Sequence, residues 1–457
     1  MIDRNLIQKY NVAGPRYTSY PPATFFHEGF TSADFLSMID DSNQQDPQSI
    51  SFYLHIPFCP QICHFCGCNT TLYKDEGVVK RYVDRLMHEI ELVTKHLDPR
   101  REVTQIHWGG GTPNSIPFHH IERVMNYFYK HFKVSENAEI AMECNPAYLE
   151  LTDVIELANM GFNRISLGVQ DFDLLLLKKI NRLPSKYPVK DLVQTARKAG
   201  FRGVNLDLMY GLPEQTLENH LESVEKAIDI NPDRIVTFSY AHVPWFKTNQ
   251  KKLEGFSFPS AEEKITMLES SYNKLVQNGY QAIGMDHYVK KGDELYQALQ
   301  QHKLQRNFQG YATQETTGQV YAFGATAISQ LTSGYAQNER NIRKYMDALE
   351  HSNLPVLRGY ILNSDETIIR KVINEIMCNH YLNWQSVAQE MGTTPGKVKE
   401  TVGFSEGKLD TFLQDGMLEY NENEIQVTSK GFFLIRNIAM AFDPQRSDQD
   451  KQYSKTI

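Results

Sequence analysis

The sequence predicts an α/β fold: a partial, three-quarter (β/α)6 barrel followed by a small, mainly helical domain. Two observations predict the barrel. Six short β-rich runs alternate with six segments of helical spacing between residues 51 and 278, and polar or glycine residues collect just past the ends of the runs. Consecutive βα units require a parallel sheet with helices packed outside it. Six units are fewer than the eight that close a full barrel, so we expect an open sheet.

The elements follow from hydrophobic periodicity. The predicted strands are 51–56, 103–108, 138–143, 164–169, 204–209 and 234–239. The predicted helices are 79–96, 119–132, 151–160, 188–199, 216–229 and 261–278. Gly161 and Gly200 fall where helices would end. The active site of such a TIM-like barrel is expected at the C-terminal ends of its strands.

We expect two domains, 1–362 and 363–457. The first contains an N-terminal segment, 1–35, and the barrel core, 50–280; residues 281–362 would complete the unit. The second shows helical patterns at 365–379, 385–391, 395–399 and 407–413, then two short strands around an Asn/Glu turn within 416–427. That pattern is typical of a winged-helix-like domain. Its acidic turn disfavours a role in DNA binding and favours packing or lidding.

Charge and hydropathy exclude several function classes. The formal net charge of −8 and the absence of a sustained Lys/Arg run give no basic surface for nucleic acid. The N-terminus has no apolar stretch of signal-peptide length. No apolar run approaches the roughly 18 residues that span a bilayer. We therefore expect a cytoplasmic protein that binds neither nucleic acid nor membrane.

Cysteine placement points to a metal site. Four of the six cysteines fall between Cys59 and Cys68, whereas disulfides usually spread along a chain to close loops. Cys144 and Cys378 stand apart, and we expect them to be small core residues.

The cysteine-rich segment reads Cys59-Pro-Gln-Ile-Cys63-His-Phe-Cys66-Gly-Cys68 and follows the first strand. Thiolates of Cys59, Cys63 and Cys66 could each bind one iron of a [4Fe–4S] cluster and leave the fourth iron open. The amino and carboxylate groups of S-adenosylmethionine need such an open iron. A structural zinc site is the alternative, but zinc normally takes two ligand pairs and the sequence offers no second pair.

The sequence resembles the radical S-adenosylmethionine superfamily and, within it, the bacterial oxygen-independent coproporphyrinogen III oxidase (dehydrogenase) family. The likeness covers residues 10 to about 440. It rests on the cysteine motif and on five further stretches, which are 10–21 (Tyr-Asn-Val-Ala-Gly-Pro-Arg-Tyr-Thr-Ser-Tyr-Pro), 53–59 (Tyr-Leu-His-Ile-Pro-Phe-Cys), the Cys-Gly-Cys ending at 66–68, 107–113 (His-Trp-Gly-Gly-Gly-Thr-Pro) and 306–311 (Arg-Asn-Phe-Gln-Gly-Tyr). Cys144 and Asn145 depart from the family pattern, and we assign them no role.

The resemblance implies one [4Fe–4S] cluster and two S-adenosylmethionine molecules per chain. Contacts to the first, on the open iron, would come from Tyr53, Gly110, Glu143 and Ile328. Contacts to the second would come from Phe65, Gly111, Thr112, Gln170, Arg182, Asp207 and Ala241. These roles suit the residue types, since glycine lets backbone approach a ligand, carboxylates accept from ribose or ammonium groups, and arginine pairs with a carboxylate.

The reaction implied by the resemblance is oxidative decarboxylation of two propionates of coproporphyrinogen III to vinyl groups. The substrate carries four carboxylates, so basic residues should line its pocket. Tyr53, Arg16 and Arg306 are the candidate catalytic or substrate-binding residues. We expect residues 1–35 to act as a lid, a reductase or flavodoxin-type protein to donate electrons, and the chain to be a monomer.

Three alternatives stay open. A related haem chaperone would lack the N-terminal motif and the Cys-Gly-Cys ending, and both are present here. A radical methyltransferase acting on haem should diverge around Asn307–Tyr311. A zinc-stabilised winged-helix regulator is disfavoured by the acidic charge and the barrel pattern.

Overall fold

The computed structural model describes residues 4–447 and Tyr453. The first residues of the predicted lid (1–3) and parts of the predicted C-terminal domain (448–452 and 454–457) lie outside this set. All six predicted barrel strands are present. They are β1 Ile50–Ile56, β2 Glu102–Gly110, β3 Lys133–Cys144, β4 Arg164–Gln170, β5 Gly203–Tyr210 and β6 Arg234–Ser239. Each pairs in parallel with the next, so the predicted parallel core is confirmed.

Eight further strands follow β6, and six of them extend the sheet at its two edges. The eight strands are β7 Tyr280–Ala282, β8 His287–Lys290, β9 Leu304–Asn307, β10 Gly310–Thr313, β11 Gln319–Phe323, β12 Ile328–Leu331, β13 Gly334–Asn338 and β14 Val356–Ile361. The order in the main sheet is β14-β13-β12-β11-β1-β2-β3-β4-β5-β6-β8-β7, while β9 and β10 form a separate hairpin. The two edge strands of the main sheet do not pair with each other, so the barrel is open as expected.

Strand β11 differs from the expectation of six parallel strands. It lies on the free side of β1 and pairs with it in parallel, with Ile50 opposite Gln319 and Leu54 opposite Phe323. The strands after it, β12 to β14, are antiparallel, and so are β8 and β7 at the other edge. Antiparallel neighbours need no crossover helix, which is why the strand–helix alternation weakens after residue 279.

Several of the helices in and around the barrel begin at a residue whose side chain caps the first turn. The helices are α1 Arg4–Tyr10, α2 Ser32–Ser42, α3 Glu76–Thr94, α4 Phe118–His131, α5 Leu151–Asn159, α6 Leu174–Lys179, α7 Val189–Lys198, α8 Leu217–Ile230, α9 Ala261–Gln277, α10 Glu294–Gln300 and α11 Ile342–Glu350. Ser260, for example, caps α9 in a capping box with Glu263. Gly161 and Gly200 follow α5 and α7 with φ near +95°, so the predicted helix ends are confirmed.

The C-terminal part consists of helices and a small sheet. The helices are α12 Ser364–Asn374, continued by a π-turn at Glu375–Asn379, α13 Trp384–Glu390, α14 Pro395–Thr401, α15 Glu406–Gln414, α16 Ser429–Phe432 and α17 Ile435–Met440. The sheet contains β15 Tyr381–Asn383, β16 Leu418–Tyr420 and β17 Glu424–Val427. The two strands around the Asn/Glu turn are as predicted, and β15 adds a third beside β17.

The N-terminal segment packs on the C-terminal helices. Leu6, Tyr10, Tyr17 and Tyr20 are buried in the same hydrophobic cluster as residues of α12, α13 and α17. The hydroxyls of Tyr17 and Tyr20 donate to the carboxylate of Asp443 at 2.9 and 3.2 Å. Burial of each aromatic side chain contributes roughly 1.5–3 kcal/mol, so the segment is held firmly across the face of the molecule.

A second, larger hydrophobic cluster fills the space between the sheet and the barrel helices, with Phe52, Trp108 and Phe128 among its fully buried members. Cys144 and Cys378 are both buried, as predicted. None of the helices within the described residues is long and apolar enough to cross a membrane.

Candidate functional site

The cysteine-rich segment forms a loop at the C-terminal end of β1. It is fixed by a short parallel pair, Phe58–Cys59 with Thr71–Leu72. Cys59 and Cys63 are buried, Cys66 is half-buried and Cys68 is exposed. Cys68 is the most exposed of the four residues, but it stays close to the candidate ligands, because it also lines a cavity inside the barrel.

Each of the three candidate ligands has a hydrogen-bond donor at its sulfur. The Thr112 hydroxyl donates to Cys59 Sγ at 3.3 Å, and Arg182 Nη1 donates to Cys63 Sγ at 3.7 Å. The Cys68 thiol donates to Cys66 and lowers the pKa of Cys66 to about 6. Burial raises the pKa of Cys59 to about 11, and the Thr112 hydrogen bond opposes this rise. Donors of this kind stabilise thiolates, which is the form that binds metal.

Side-chain amides from a later segment hold the backbone of the loop. Asn249 Nδ2 lies 3.0–3.1 Å from the carbonyl oxygens of Cys63, His64 and Cys66. Gln250 Nε2 donates to Phe65 O at 2.9 Å and to Ala241 O at 3.2 Å. Neither residue could be predicted from the sequence, because a lone Asn-Gln pair in a polar segment has no spacing that marks it.

The glycine run after β2 packs directly against the loop. The Gly111 amide donates to Ile56 O at 2.7 Å, and a Cβ at Gly111 would lie 2.9 Å from Cys59 Sγ. Gly110 has φ +115°, and a Cβ there would lie 2.8 Å from Ile56 O. Only glycine permits this conformation and this close approach without strain, so the run shapes the floor of the site.

Three of the four residues expected at the first S-adenosylmethionine lie together. Glu143 Oε1 lies 3.1 Å from His107 Nε2, and Glu143 Oε2 accepts from the Gly110 amide at 3.4 Å. The Tyr53 ring stacks on the His107 ring with 5.9 Å between centroids. Burial works against ionisation of Glu143, but the hydrogen bond and charge of His107, together with the Gly110 amide, outweigh it and lower the pKa of Glu143. Ile328 begins β12, two strands away from β1.

The residues expected at the second S-adenosylmethionine form smaller groups. Arg182 Nη2 donates to Gly168 O, and a Cβ on Gly168 would lie 2.9 Å from Gln170 Nε2. Phe65 and Ala241 are joined through the Gln250 amide, as described above. Gly111 and Thr112 contact Cys59.

Asp207 completes that set of residues deeper in the barrel. Its carboxylate accepts from Ser166 Oγ at 2.8 Å and from Asn205 Nδ2 at 2.7 Å. Burial, together with the nearby Glu143 charge, raises the pKa of Asp207 to about 6.

A cavity of about 320 Å³ opens inside the barrel beside these groups. Its lining includes Cys68, His107, Glu143, Asp207 and Tyr311. A larger cavity of about 630 Å³ lies at the opposite ends of the strands, near Glu102 and Arg202. The smaller cavity is the candidate site, because two of the predicted cofactor contacts, Glu143 and Asp207, line it.

A buried ion cluster closes the barrel between the two cavities. Arg234 Nε lies 2.8 Å from Asp293 Oδ2, and Arg164 Nε lies 2.8 Å from Glu139 Oε2. Glu294 binds both arginines. These charges are paired with one another, so we assign them to the structure of the barrel floor and not to the reaction.

Arg16 and Arg306 meet, although they lie 290 residues apart. Arg306 Nη1 donates to the backbone oxygen of Arg16 at 3.0 Å. The Arg306 guanidinium also lies 5.4 Å from the centre of the Tyr311 ring, which lines the cavity.

The sulfur arrangement fits a cluster better than a single zinc ion. Tetrahedral zinc with bonds of about 2.3 Å holds its sulfurs about 3.8 Å apart. Within the described residues, no three ligand atoms that include these sulfurs lie within 4.8 Å of one another; the group that does is Glu76, His119 and His120, at the starts of α3 and α4. A cubane holds its thiolates further apart because each binds a different iron.

Comparisons with known proteins agree with this chemistry. Residues 53–227 match the model of the radical SAM superfamily. The chain is 39% identical to the oxygen-independent coproporphyrinogen III oxidase of Synechocystis sp., over 99% of this chain and 97% of that protein. It is 37% identical to the enzyme of the same name from Escherichia coli, over 100% of this chain and 98% of the relative.

The solved structure of coproporphyrinogen III oxidase from Escherichia coli, a radical SAM enzyme, has the same fold. It matches with a TM-score of 0.90 and 36% identity, over 97% of this chain and 99% of that one. Similarity at this level extends through the barrel, the N-terminal segment and the C-terminal helices. The chain therefore belongs to the oxygen-independent coproporphyrinogen III oxidase family of the radical SAM superfamily.

Proposed function

We propose that this protein converts two propionate side chains of coproporphyrinogen III to vinyl groups, giving protoporphyrinogen IX in anaerobic haem biosynthesis. Each conversion removes one hydrogen atom from the β-carbon, releases the carboxylate as carbon dioxide and passes one electron to an acceptor. The observation that carries the proposal is identity of 36–39% over nearly the full length to proteins of that name. The three-sulfur loop supports it, because an unactivated C–H bond requires radical chemistry.

The residues of the loop fit a [4Fe–4S] cluster bound by Cys59, Cys63 and Cys66. A cluster held by these residues would supply the electron needed for reductive cleavage of S-adenosylmethionine, which is the source of the carbon radical in this chemistry. Thr112 and Arg182 stabilise two of the thiolates, and the amide of Asn249 fixes the loop backbone. Glu143, held by His107, can accept a hydrogen bond from an ammonium group.

We propose two S-adenosylmethionine molecules per chain, bound by the two sets of residues that the family resemblance implies. Two propionates must each be activated once, so two bound cofactors are chemically reasonable. In support, Tyr53 and Gly110 group with Glu143 and its partner His107, and Gln170 and Arg182 meet at Gly168. Arg182 offers the planar fork that suits a methionine carboxylate.

We propose that residues 1–35 cover the mouth of the barrel and that Arg16 and Arg306 contact substrate. Radical chemistry requires that solvent be kept from the reacting atoms. The buried tyrosines of this segment and its contact with Arg306 support the lid. The division into 1–362 and 363–457 remains a prediction, as do the cytoplasmic location, the monomeric state and the flavodoxin-type or reductase electron donor.

The test is anaerobic reconstitution with iron and sulfide, followed by incubation with coproporphyrinogen III, S-adenosylmethionine and a reductant. The products are oxidised to porphyrins and separated by chromatography. We expect a tricarboxylate intermediate followed by protoporphyrin IX, and no product from a Cys66→Ser control. Recovery of unchanged tetracarboxylate, or of a methylated porphyrin, from fully reconstituted protein would contradict the proposal.

A further inference from the structure

Four cations from distant parts of the chain converge beside the barrel mouth. They are Arg16 of the N-terminal segment, Lys264 of α9, Arg306 of β9 and Arg436 of α17, and we call them the cationic cluster. Arg306 donates to Arg16 O at 3.0 Å, and Arg436 Nε donates to Pro15 O at 3.1 Å. The Lys264 ammonium donates to Tyr240 O at 3.0 Å. Backbone oxygens hold Lys264, Arg306 and Arg436 in place without neutralising their charge.

The cluster carries an excess of positive charge in a chain whose formal net charge is −8. Among the described residues, Arg16, Lys264 and Arg306 form no ion pair, and the acid nearest in effect is Asp286. That carboxylate is already engaged, since Asp286 Oδ1 lies 2.6 Å from His287 Nδ1. Like charges brought together in a partly buried site cost free energy unless an anion joins them.

The protonation behaviour agrees with this electrostatic conflict. Burial is the main cause that lowers the pKa of Arg436 to about 9, and the positive charges of Arg16 and Arg306 add to it. Burial, then the charge of Arg16, lowers the pKa of Lys264. Arg306 Nε is also buried without a hydrogen-bond partner, which leaves a donor available. A bound carboxylate would satisfy the donor and remove the conflict.

The cluster adjoins the cavity but lies to one side of the proposed cofactor contacts. Arg306 stacks over Tyr311, and the Tyr311 ring lies 4.9 Å from the His287 ring. Tyr311 and His287 line the same cavity as Glu143 and Asp207. A carboxylate bound by the cationic cluster therefore lies at the rim of the cavity. It lies away from Glu143 and Asp207, which line the same cavity.

We propose that Arg16, Lys264 and Arg306, backed by Arg436, bind the two propionates that the reaction retains. This inference rests on the proposed function, in which two of four carboxylates leave as carbon dioxide. The retained pair stays charged from the substrate through the tricarboxylate intermediate to the product. Cations that bind this retained pair would keep the tricarboxylate intermediate bound after the first decarboxylation. The second reactive propionate could then move to the site of hydrogen abstraction without release of the macrocycle.

The test measures binding of three fluorescent porphyrins, and it needs no turnover. Coproporphyrin III carries all four propionates. Mesoporphyrin IX has ethyl groups in place of the two reactive propionates and keeps the retained two, and coproporphyrin III tetramethyl ester carries no charge. The variants are Lys264→Met and Arg16→Met, with Lys274→Met as control, since Lys274 lies on the same helix but is ion-paired with Glu225. Thermal midpoints check that each variant is folded.

We expect both variants to weaken binding of coproporphyrin III and mesoporphyrin IX by a similar factor, about tenfold, as for loss of a charged hydrogen bond. The ester and the control variant should show less than a twofold change. Arg16→Met should also release more of the tricarboxylate intermediate during turnover.

Weaker binding of coproporphyrin III alone would overturn the inference, because the cluster would then hold the reactive propionates. Unchanged binding of both acids in both variants would overturn it as well. Failure of the proposed function is a distinct outcome, because the anaerobic assay with coproporphyrinogen III would then give no decarboxylated product, whatever the binding results.

Discussion

The guanidinium of Arg182 reaches the sulfur of Cys63. Nη1 of Arg182 lies 3.7 Å from Cys63 Sγ, while Nη2 donates to the carbonyl of Gly168 at the end of β4. One cation therefore links a candidate cluster ligand to the strand end where a second S-adenosylmethionine is proposed. A change at Arg182 is expected to affect that cofactor first, because Cys63 is also held by the loop backbone.

We predict that Arg182→Ala reduces the number of bound S-adenosylmethionine molecules from two to one. Loss of the guanidinium removes the paired donors that a methionine carboxylate needs, and Arg182→Lys should restore little because lysine lacks the planar fork. Equilibrium binding to the reconstituted protein measures the stoichiometry, and iron content serves as the control. A stoichiometry of one in the parent protein would refute the second site.

Cysteine substitutions should distinguish the three cluster ligands from Cys68, which lies beside them. Serine at Cys59, Cys63 or Cys66 is expected to prevent retention of a four-iron cluster, whereas Cys68→Ser should keep it, because a fourth thiolate would close the iron that S-adenosylmethionine needs. Iron and sulfide per chain after anaerobic reconstitution give the answer. The idea is wrong if the Cys68 variant loses the cluster while the Cys59 variant holds it.

The Thr112 hydroxyl should tune the cluster potential through Cys59. Hydrogen bonds to cluster sulfurs favour the more negative reduced state, so Thr112→Val is expected to lower the midpoint potential, on the order of tens of millivolts. Thr112→Ser keeps the donor and is the matched control. A redox titration followed by electron paramagnetic resonance measures the shift, and equal potentials in all three proteins would exclude the effect.

The ion cluster on the barrel floor should matter for stability. Arg234→Met leaves Asp293 and Glu294 without one of their cations in a buried setting, which is expected to cost roughly 3–5 kcal/mol. Arg197→Met is the control, because Arg197 pairs with Asp233 at 3.6 Å on the surface and should cost no more than about 1 kcal/mol. The free energy of unfolding of each protein, prepared without the iron–sulfur cluster, is measured by denaturant titration. Similar losses of stability in the two variants would contradict a structural role for the buried ion cluster.

The buried imidazole of His220 should make stability depend on pH. Burial lowers the pKa of His220 to about 4, and its Nε2 lies 2.8 Å from Ser271 Oγ. Between about pH 6.5 and 4 the unfolded chain binds the proton and the folded chain does not, so stability falls as pH falls, by up to about 1.4 kcal/mol per pH unit.

His220→Gln keeps a partner for Ser271 and removes this titration. We therefore expect the parent to lose more stability than the variant between pH 6.5 and 5, although other groups titrate in both proteins. Denaturant midpoints at the two pH values measure the difference. Parallel loss in parent and variant would show that His220 does not contribute.

Much of the site could be predicted from local signals. The spacing of Cys59, Cys63 and Cys66, the glycine run after β2, and the polar residues at strand ends each lie within a few residues of the feature that marks them. The six strands and six helices of the barrel were also predicted, because hydrophobic periodicity is a local property. These signals could not predict which residues distant in the sequence contact one another.

The sequence by itself determined the parallel barrel core, the position of the cysteine loop after its first strand, and the residue types available for the chemistry. Only the tertiary structure decided that β11 pairs with β1, that Asn249 holds the loop carbonyls, and that Arg306 and Arg436 bind the backbone oxygens of Arg16 and Pro15. These contacts join residues more than 180 positions apart. Periodicity and spacing describe neighbours along the chain, whereas such contacts depend on where the chain returns after the core has packed.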